Sequence, residues 1–469
     1  MSLHGLWGPL QAALARQPLI LAWPRLGAAS SVIEQLDQLG ATVLGVAAVR
    51  RGRGALPAHL PTWVAEEQGE AGAAGDDFIR EFQRYELLMG AASDGLRAFV
   101  DQVDPEGQAL VLCPHAADLR AVAGRPLWGG VDPAARRALE DKTTIDALWD
   151  QLGVPRAPCA VVPLAEAAAA AARLDQGAGT VWAGDNTTTI EGGALTTRHV
   201  HDAASAAAAL ATLAGRCAKV RVMPHLAGVP CAIQAMVLPD GVCALRPMEM
   251  IVLREPPTGR FVLCGMATTW EPSWALRAEL RALARAVGAH LRATFGWVGG
   301  FSIDGIATLD GAFVPTELNA RFSAGLSLLE AVSPGPPLHL VDRALRAGAP
   351  LRLRAEELER ALLPAIDHRR VVNAHLHHVA APPRPEPPPL PLLPDARGVW
   401  QAAPQARAAP AALRWTDTGT HGVLTLDPDP ALLRRGPPLA PRFADALRAA
   451  RATWGIELPD LSPAVGLDG

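Results

Sequence analysis

Two continuous apolar runs with one amphipathic segment between them open the chain. Residues 19–23 (LILAW) and 41–46 are unbroken apolar stretches, whereas 30–39 repeats its apolar positions at helical spacing and stops at Gly40. Unbroken apolar runs of this length suit strands covered on both faces. The order predicts strand, helix, strand at the start of an open parallel sheet. A long helix over 77–103 and a buried strand at 110–113 continue the pattern, so residues 1–125 read as a Rossmann-like unit. No GxGxxG follows the first strand, which removes the usual reason to infer a dinucleotide. Residues 133–152 read as mostly helical, with Asp141-Lys142 in the middle and Gly153-Val154-Pro155 as the stop.

Further along, alternation takes over. Short strands are predicted at 159–162, 180–182 and 218–223, with an Ala-rich helix at 164–174. Strands 231–237 and 242–253 pair around Pro239-Asp240-Gly241, and amphipathic helices cover 276–295 and 326–347. Between those helices, 299–325 reads GGFSIDGIATLDGAFVPTELNARFSAG. Phe301, Ile303 and Gly305 alternate with Ser302 and Asp304, and Leu309-Asp310-Gly311 carries the Asp-Gly hairpin signal. Pro315 marks an edge strand or an irregularity. Glu317 and Asn319 are two apart and leave the same strand face, with Asp304 opposite them. Three hard oxygen ligands without His or Cys suit Mg²⁺ or Mn²⁺. A surface hairpin with ordinary polar residues is the plain alternative. Asparagine is rare here, at 186, 319 and 373 alone, which favours a purpose for Asn319. Arg321, two residues on, can face the same site and meet phosphate or a developing oxyanion.

A strand bearing an acid, a turn, and a strand closing as Glu-x-Asn-x-Arg resemble the metal-binding hairpin of the ATP-grasp superfamily, which includes D-alanine–D-alanine ligase and biotin carboxylase. The resemblance covers about residues 1–345. It implies a Rossmann-like domain at 1–125 and a two-lobed ATP-grasp nucleotide site at 126–350; beyond it, residues 351–469 read from their own pattern as a small C-terminal α+β appendage with a proline-rich linker or extended arm at 382–394. ATP and Mg²⁺ (or Mn²⁺) are the implied cofactors, with Asp304, Glu317 and Asn319 as metal ligands and Arg321 at the phosphoryl-transfer centre. Lys142, in ALEDKTTIDALWDQLGVPRAP, matches the lysine that binds ATP phosphates. The polar loop with Thr187, Thr188, Thr189, Gly192 and Gly193 stands where the family has its mobile glycine-rich loop. Met223, His225 and Leu226 fall at the hinge that lines adenine. Arg246 and Arg254 are candidates for triphosphate or substrate carboxylate, with surface charges on a hairpin as the alternative.

Two positions depart from the family pattern. Trp182 stands where a second phosphate-binding lysine is usual, so Lys219 or an arginine would have to replace it. Pro230 or Cys231 occupies the region of the ribose-binding acid. The resemblance implies an ATP-dependent carboxylate–amine ligase working through an acyl phosphate. Its partners would be a small carboxylate and an amine such as an amino acid or short peptide, in peptide or natural-product biosynthesis; a homodimer is left open. The competing reading is a nucleotide-binding regulator or scaffold without ligase activity.

Composition narrows this further. A chain of 469 residues with 49% hydrophobic content supplies core for several domains. Its net charge of −4, without a basic block, argues against nucleic acid. No apolar run approaches the ~18–20 residues of a membrane span, and no secretory signal is apparent. The six scattered cysteines read as free thiols of a cytoplasmic protein. Of 43 Lys plus Arg, only Lys142 and Lys219 are lysine. A lysine kept against that bias reads as chemically needed, with chance retention as the alternative. In His375-Leu376-His377-His378 only 375 and 377 share a strand face, and no carboxylate accompanies them, which favours a structural role over a metal.

Overall fold

The computed structural model describes residues 3–15, 17–71, 78–185, 194–379, 386–417 and 421–464. Near the N-terminus a four-stranded parallel sheet runs in the order Thr62–Val64, Val43–Arg50, Leu19–Arg25, Leu110–Leu112. Ile20, Ala22, Ala47 and Val49 pack on one face with Tyr85, Leu96 and Val100. Leu19, Leu21, Val46 and Ala48 pack on the other with Ile33 and Leu36 of the helix Ser30–Gln38. Both faces are covered, which is why these strands are apolar without alternation.

Three expected helices are divided. The span 77–103 forms Phe78–Ala91 and Asp94–Val103. Ala92 turns to φ 47° between them, and the Ser93 hydroxyl accepts Leu96 N–H as an N-cap. The span 133–152 forms Pro133–Glu140 and Asp146–Gln151. Asp141 leaves the helical region at ψ 115°, and its carboxylate accepts Thr143 N–H at 2.8 Å, the local bond that draws Asp out of helices. Lys142 thus projects from a turn. The span 326–347 forms Ala324–Glu330 and Leu338–Arg346, because Pro334, Pro336 and Pro337 cannot continue a helix.

Among the described residues the second sheet has fifteen strands. Its antiparallel centre runs Phe313–Asn319, Gly299–Thr308, Gly228–Leu238, Gly241–Glu255, Arg260–Ala267. A smaller lobe of Ala160–Pro163, Lys219–Pro224, Thr180–Gly184 and Thr197–Val200 joins it through the pair Arg198–Arg260. One face of the central strands packs Ile233, Phe301, Ile303 and Leu318 against the helix Trp274–Phe295. The opposite face looks into a cleft between the two lobes.

The C-terminal α+β segment continues this sheet: Val372–Val379 pairs with Arg260–Ala267 and leads to Gly422–Pro428 and Ala411–Asp417. The stretch expected to be a proline-rich linker at 382–394 ends as a strand, Leu390–Pro394, paired with Trp400–Ala402 and Ala411–Asp417. Leu390 and Leu392 are buried, and their alternation outweighs the prolines at the sheet's outer end. Ser462–Pro463 returns to pair with Leu253 and Arg254. The rings of His375 and His377 meet at 4.5 Å, and no group of three His, Cys, Asp or Glu able to hold a metal occurs among the described residues. All six cysteines are free, and no described helix is long and apolar enough to cross a membrane.

Glu249 fastens the C-terminal helix Ala440–Trp454 to the central sheet. Its carboxylate, fully buried, accepts Leu439 N–H at 2.6 Å and Ala440 N–H at 2.7 Å. Burial pushes its pKa up to about 7, against the two N–H groups that favour the anion. A raised acid pKa means the folded state holds the proton more tightly than the unfolded chain. This contribution is fully present below about 4.5 and is lost as pH rises through about 7. Glu249→Gln is therefore expected to flatten the pH dependence of stability between pH 5 and 8 by roughly 3 kcal/mol relative to wild type. Parallel slopes of denaturant-derived stability against pH in the two proteins would contradict this.

Candidate active site in the cleft between the lobes

The two strands of the hairpin place their polar residues by register. Asp304 lies directly across from Glu317, and Ser302 across from Asn319. Asn319 Nδ2 donates to Asp304 Oδ2 at 2.9 Å, and Ser302 Oγ donates to Asp304 Oδ1 at 3.3 Å. The register slips between Asp304 and Gly305, beside Pro315 on the edge strand. The slip turns both Thr316 and Glu317 toward the cleft.

Cations flank this pair of acids. Lys142 Nζ is 2.8 Å from Glu317 Oε1, and Lys142 is 8% exposed. Arg321 pairs with buried Glu140, whose carboxylate also meets Arg136 Nε at 3.2 Å. Burial, then repulsion from Glu317, pushes the Asp304 carboxyl upward from the usual range. A divalent cation between the two carboxylates would remove that repulsion, with Asn319 Oδ1 as a third oxygen. The donor set thus fits a hard ion that takes one or two carboxylates and shares phosphate oxygens.

The cleft encloses about 1550 Å³ counting its open mouth. Lys142, Met223, His225, Leu226, Arg254, Asp304, Glu317, Asn319 and Arg321 all line it. Thr187, Thr188, Thr189, Gly192 and Gly193 lie outside the described residues. Arg246 is a correction: it does not reach the cleft. Its strand carries one extra residue opposite Ile233–Ala235, and this bulge turns Arg246 to the helix-covered face. There it is 1% exposed and bonds Glu271 at 2.7 Å and Asp367.

Arg254 donates from Nη1 to His199 Nδ1 at 2.7 Å, and His199 Nε2 donates to Ala178 O at 2.8 Å. Those two bonds fix one neutral tautomer. Burial first of all lowers the His199 pKa to about 4 and that of His225, whose tilted ring is centred 4.2 Å away, to about 3. The hinge end of the cleft therefore holds neutral imidazoles.

Both departures have structural readings. Trp182 is fully buried among Ala167, Ala209 and Leu213 under the small lobe's helices, while Val181 and Ala183 face the cleft. Directly across from Ala183 stands Arg221, which lines the cleft. Its Nε and Nη2 each bond Asp146 at 2.7 Å. Lys219 is exposed and outside the cleft lining. Pro230 faces the cleft and Cys231 the opposite core, so no acid stands at that point. Sequence reasoning did not name Arg221 or Gln234, both cleft-lining. The signal was present, as a lone Arg in KVRVMP and a lone amide in CAIQAMVL.

No protein-family model and no curated protein sequence matches the chain. Solved structures do match. The N5-carboxyaminoimidazole synthase of Aspergillus clavatus, in complex with ADP and 5-aminoimidazole ribonucleotide, aligns over 89% of this chain and 95% of its own at TM-score 0.50 and 14% identity. The chain has the ATP-grasp fold. The L-amino acid ligase of Bacillus licheniformis covers 88% and 94% (TM-score 0.47, 14% identity), and the biotin carboxylase of Campylobacter jejuni 97% and 93% (TM-score 0.48, 13% identity). The cleft lies between the two lobes, with the acid hairpin on the larger one.

Proposed function

We propose that this protein is an ATP-dependent ligase that joins a small carboxylic acid to an amine, of the amino-acid or short-peptide kind. The observation that carries the reading is the acid pair Asp304–Glu317, flanked in one cleft by Lys142 and Arg321. Mg²⁺, held by Asp304, Glu317 and Asn319, would neutralise charge on the ATP phosphates. Lys142 is placed to turn from Glu317 to a phosphate oxygen. Arg321 would meet the negative charge that builds at the γ-phosphoryl group. Met223 and Leu226 offer apolar contact to a base at the hinge. A carboxylate oxygen attacks the γ-phosphorus and ADP leaves. The amine nitrogen then attacks the acyl carbon, phosphate departs with that oxygen, and the nitrogen loses a proton.

The test is isotopic. With ¹⁸O in the acid's carboxylate, one labelled oxygen is expected in the phosphate released upon amine-dependent turnover. Phosphate without the donor oxygen, from a productive acid and amine pair, would rule out the acyl phosphate. The residues at Trp182 and Pro230 favour a second reading, a nucleotide-binding regulator. That reading requires Mg-ATP binding with no labelled phosphate for any pair.

Lys142→Ala is expected to weaken Mg-ATP binding roughly tenfold, about 1.4 kcal/mol. Lys142→Arg should recover only part of it, since a planar fork does not replace a compact ammonium. Calorimetry that returns the wild-type affinity for the alanine variant would remove Lys142 from the phosphate site.

A further inference from the structure

We infer that Gln234 receives the carboxylate of the acid substrate, and that this acid carries an uncharged, apolar body. The inference rests on the ligase reading and names the substrate class for the same cleft.

Gln234 is fully buried in the strand Gly228–Leu238, where its neighbours on both sides are apolar. The Ser323 hydroxyl accepts Leu326 N–H and donates to Gln234 Oε1. That bond fixes which way the amide points. Nε2 is buried with no partner among the described residues, in a residue that borders the cleft. A buried donor without an acceptor is destabilising, and a ligand oxygen would supply the missing partner. Gly325 makes room for the Gln234 amide itself, because a Cβ there would collide with it. Gln234 pairs across from Ser302, two residues from Asp304 along the neighbouring strand. Adjacent strands lie about 4.8 Å apart, so the amide stands beside the metal hairpin.

From Gln234 to Arg254 the cleft face of the large lobe carries no charge. Met250 and Val252 face it from one strand, and Leu263 and Met266 from the next. A register slip between Met250 and Val252, at Gly265 with φ 123°, brings Leu263 and Met266 onto one face although they are three residues apart. Leu263 is 42% exposed there, a large apolar surface that a ligand would cover. Placing a second charged group against this wall would strip it of water without a partner, whereas an apolar group gains from burial.

The probes are 4-methylpentanoate and glutarate, carboxylates of similar length, titrated by calorimetry into the full chain with Mg-ADP present. Wild type is expected to bind 4-methylpentanoate at least tenfold tighter than glutarate. Gln234→Glu opposes the ligand's charge, and Gln234→Met removes the donor. Each is expected to weaken 4-methylpentanoate at least tenfold with Mg-ADP affinity changed less than twofold. Equal binding of the two acids, wild-type acid affinity in both variants, or a parallel loss of Mg-ADP overturns the inference. So does wild-type protein that binds Mg-ADP but neither acid. Wild-type protein that binds no Mg-ADP overturns instead the ligase reading beneath it.

Discussion

Glu317→Gln is expected to lower Mg-dependent ATP turnover by two to three orders of magnitude and to leave the fold intact. Glu317 supplies one of two carboxylates that face each other across the hairpin. Removing a preorganised electrostatic group at a site of charge development costs roughly 3–4 kcal/mol of barrier. The folded state itself should not suffer. Asp304 is held above its usual range by burial and by the Glu317 charge, so a neutral neighbour relieves repulsion. Lys142 keeps an amide oxygen where its 2.8 Å carboxylate partner stood, and it borders the cleft. Steady-state ADP release and thermal unfolding measured on the same preparation separate the two effects. Unchanged turnover would remove Glu317 from the phosphoryl-transfer site. Lost turnover with a collapsed melting transition would make it structural.

The hairpin was legible because its information is local. Alternation sets the faces of Phe301–Asp304, Asp-Gly sets the turn, and two-residue spacing puts Glu317 and Asn319 together. Register then follows within one residue, and Pro315 already pointed to the irregularity. Arg246 was misplaced for the opposite reason. Its strand reads as regular, and the extra residue opposite Ile233–Ala235 shows only when the two strands are paired. From there every side chain changes face. The divided helices lost to short polar side chains, Ser93 and Asp141, that bond their own backbone, and to prolines at 334–337. The continuity of the C-terminal strands with the central sheet was not readable, because the pairing of Val372–Val379 with Arg260–Ala267 spans about a hundred residues of sequence. Trp182 shows how a one-residue choice matters. The family's lysine position was read onto Trp182, yet in this strand Val181 and Ala183 face the cleft and the tryptophan fills the core.

That leaves Arg221 as the cleft-lining cation beside the vacated lysine position, and its partner Asp146 offers the larger stability effect. Arg221 is 2% exposed and Asp146 8%, and they share two bonds of 2.7 Å. Breaking a buried pair from one side strands a charge and typically costs about 3–5 kcal/mol. Asp146→Ala is expected to fall in that range by denaturant unfolding. It also removes the acceptor for Cys159 Sγ and an acid from the first turn of Asp146–Gln151. A low-stability variant cannot by itself show what Arg221 does for a nucleotide. The double variant Asp146→Leu with Arg221→Met can, since an apolar pair of similar volume often restores the stability that a buried ion pair leaves behind. It is expected to recover most of the loss and yet to bind Mg-ATP at least tenfold more weakly than wild type. Met223 should still line the hinge, so the deficit would belong to the phosphates: adenosine affinity should not change while Mg-ATP affinity falls. If the double variant binds Mg-ATP like wild type, Arg221 serves the fold alone.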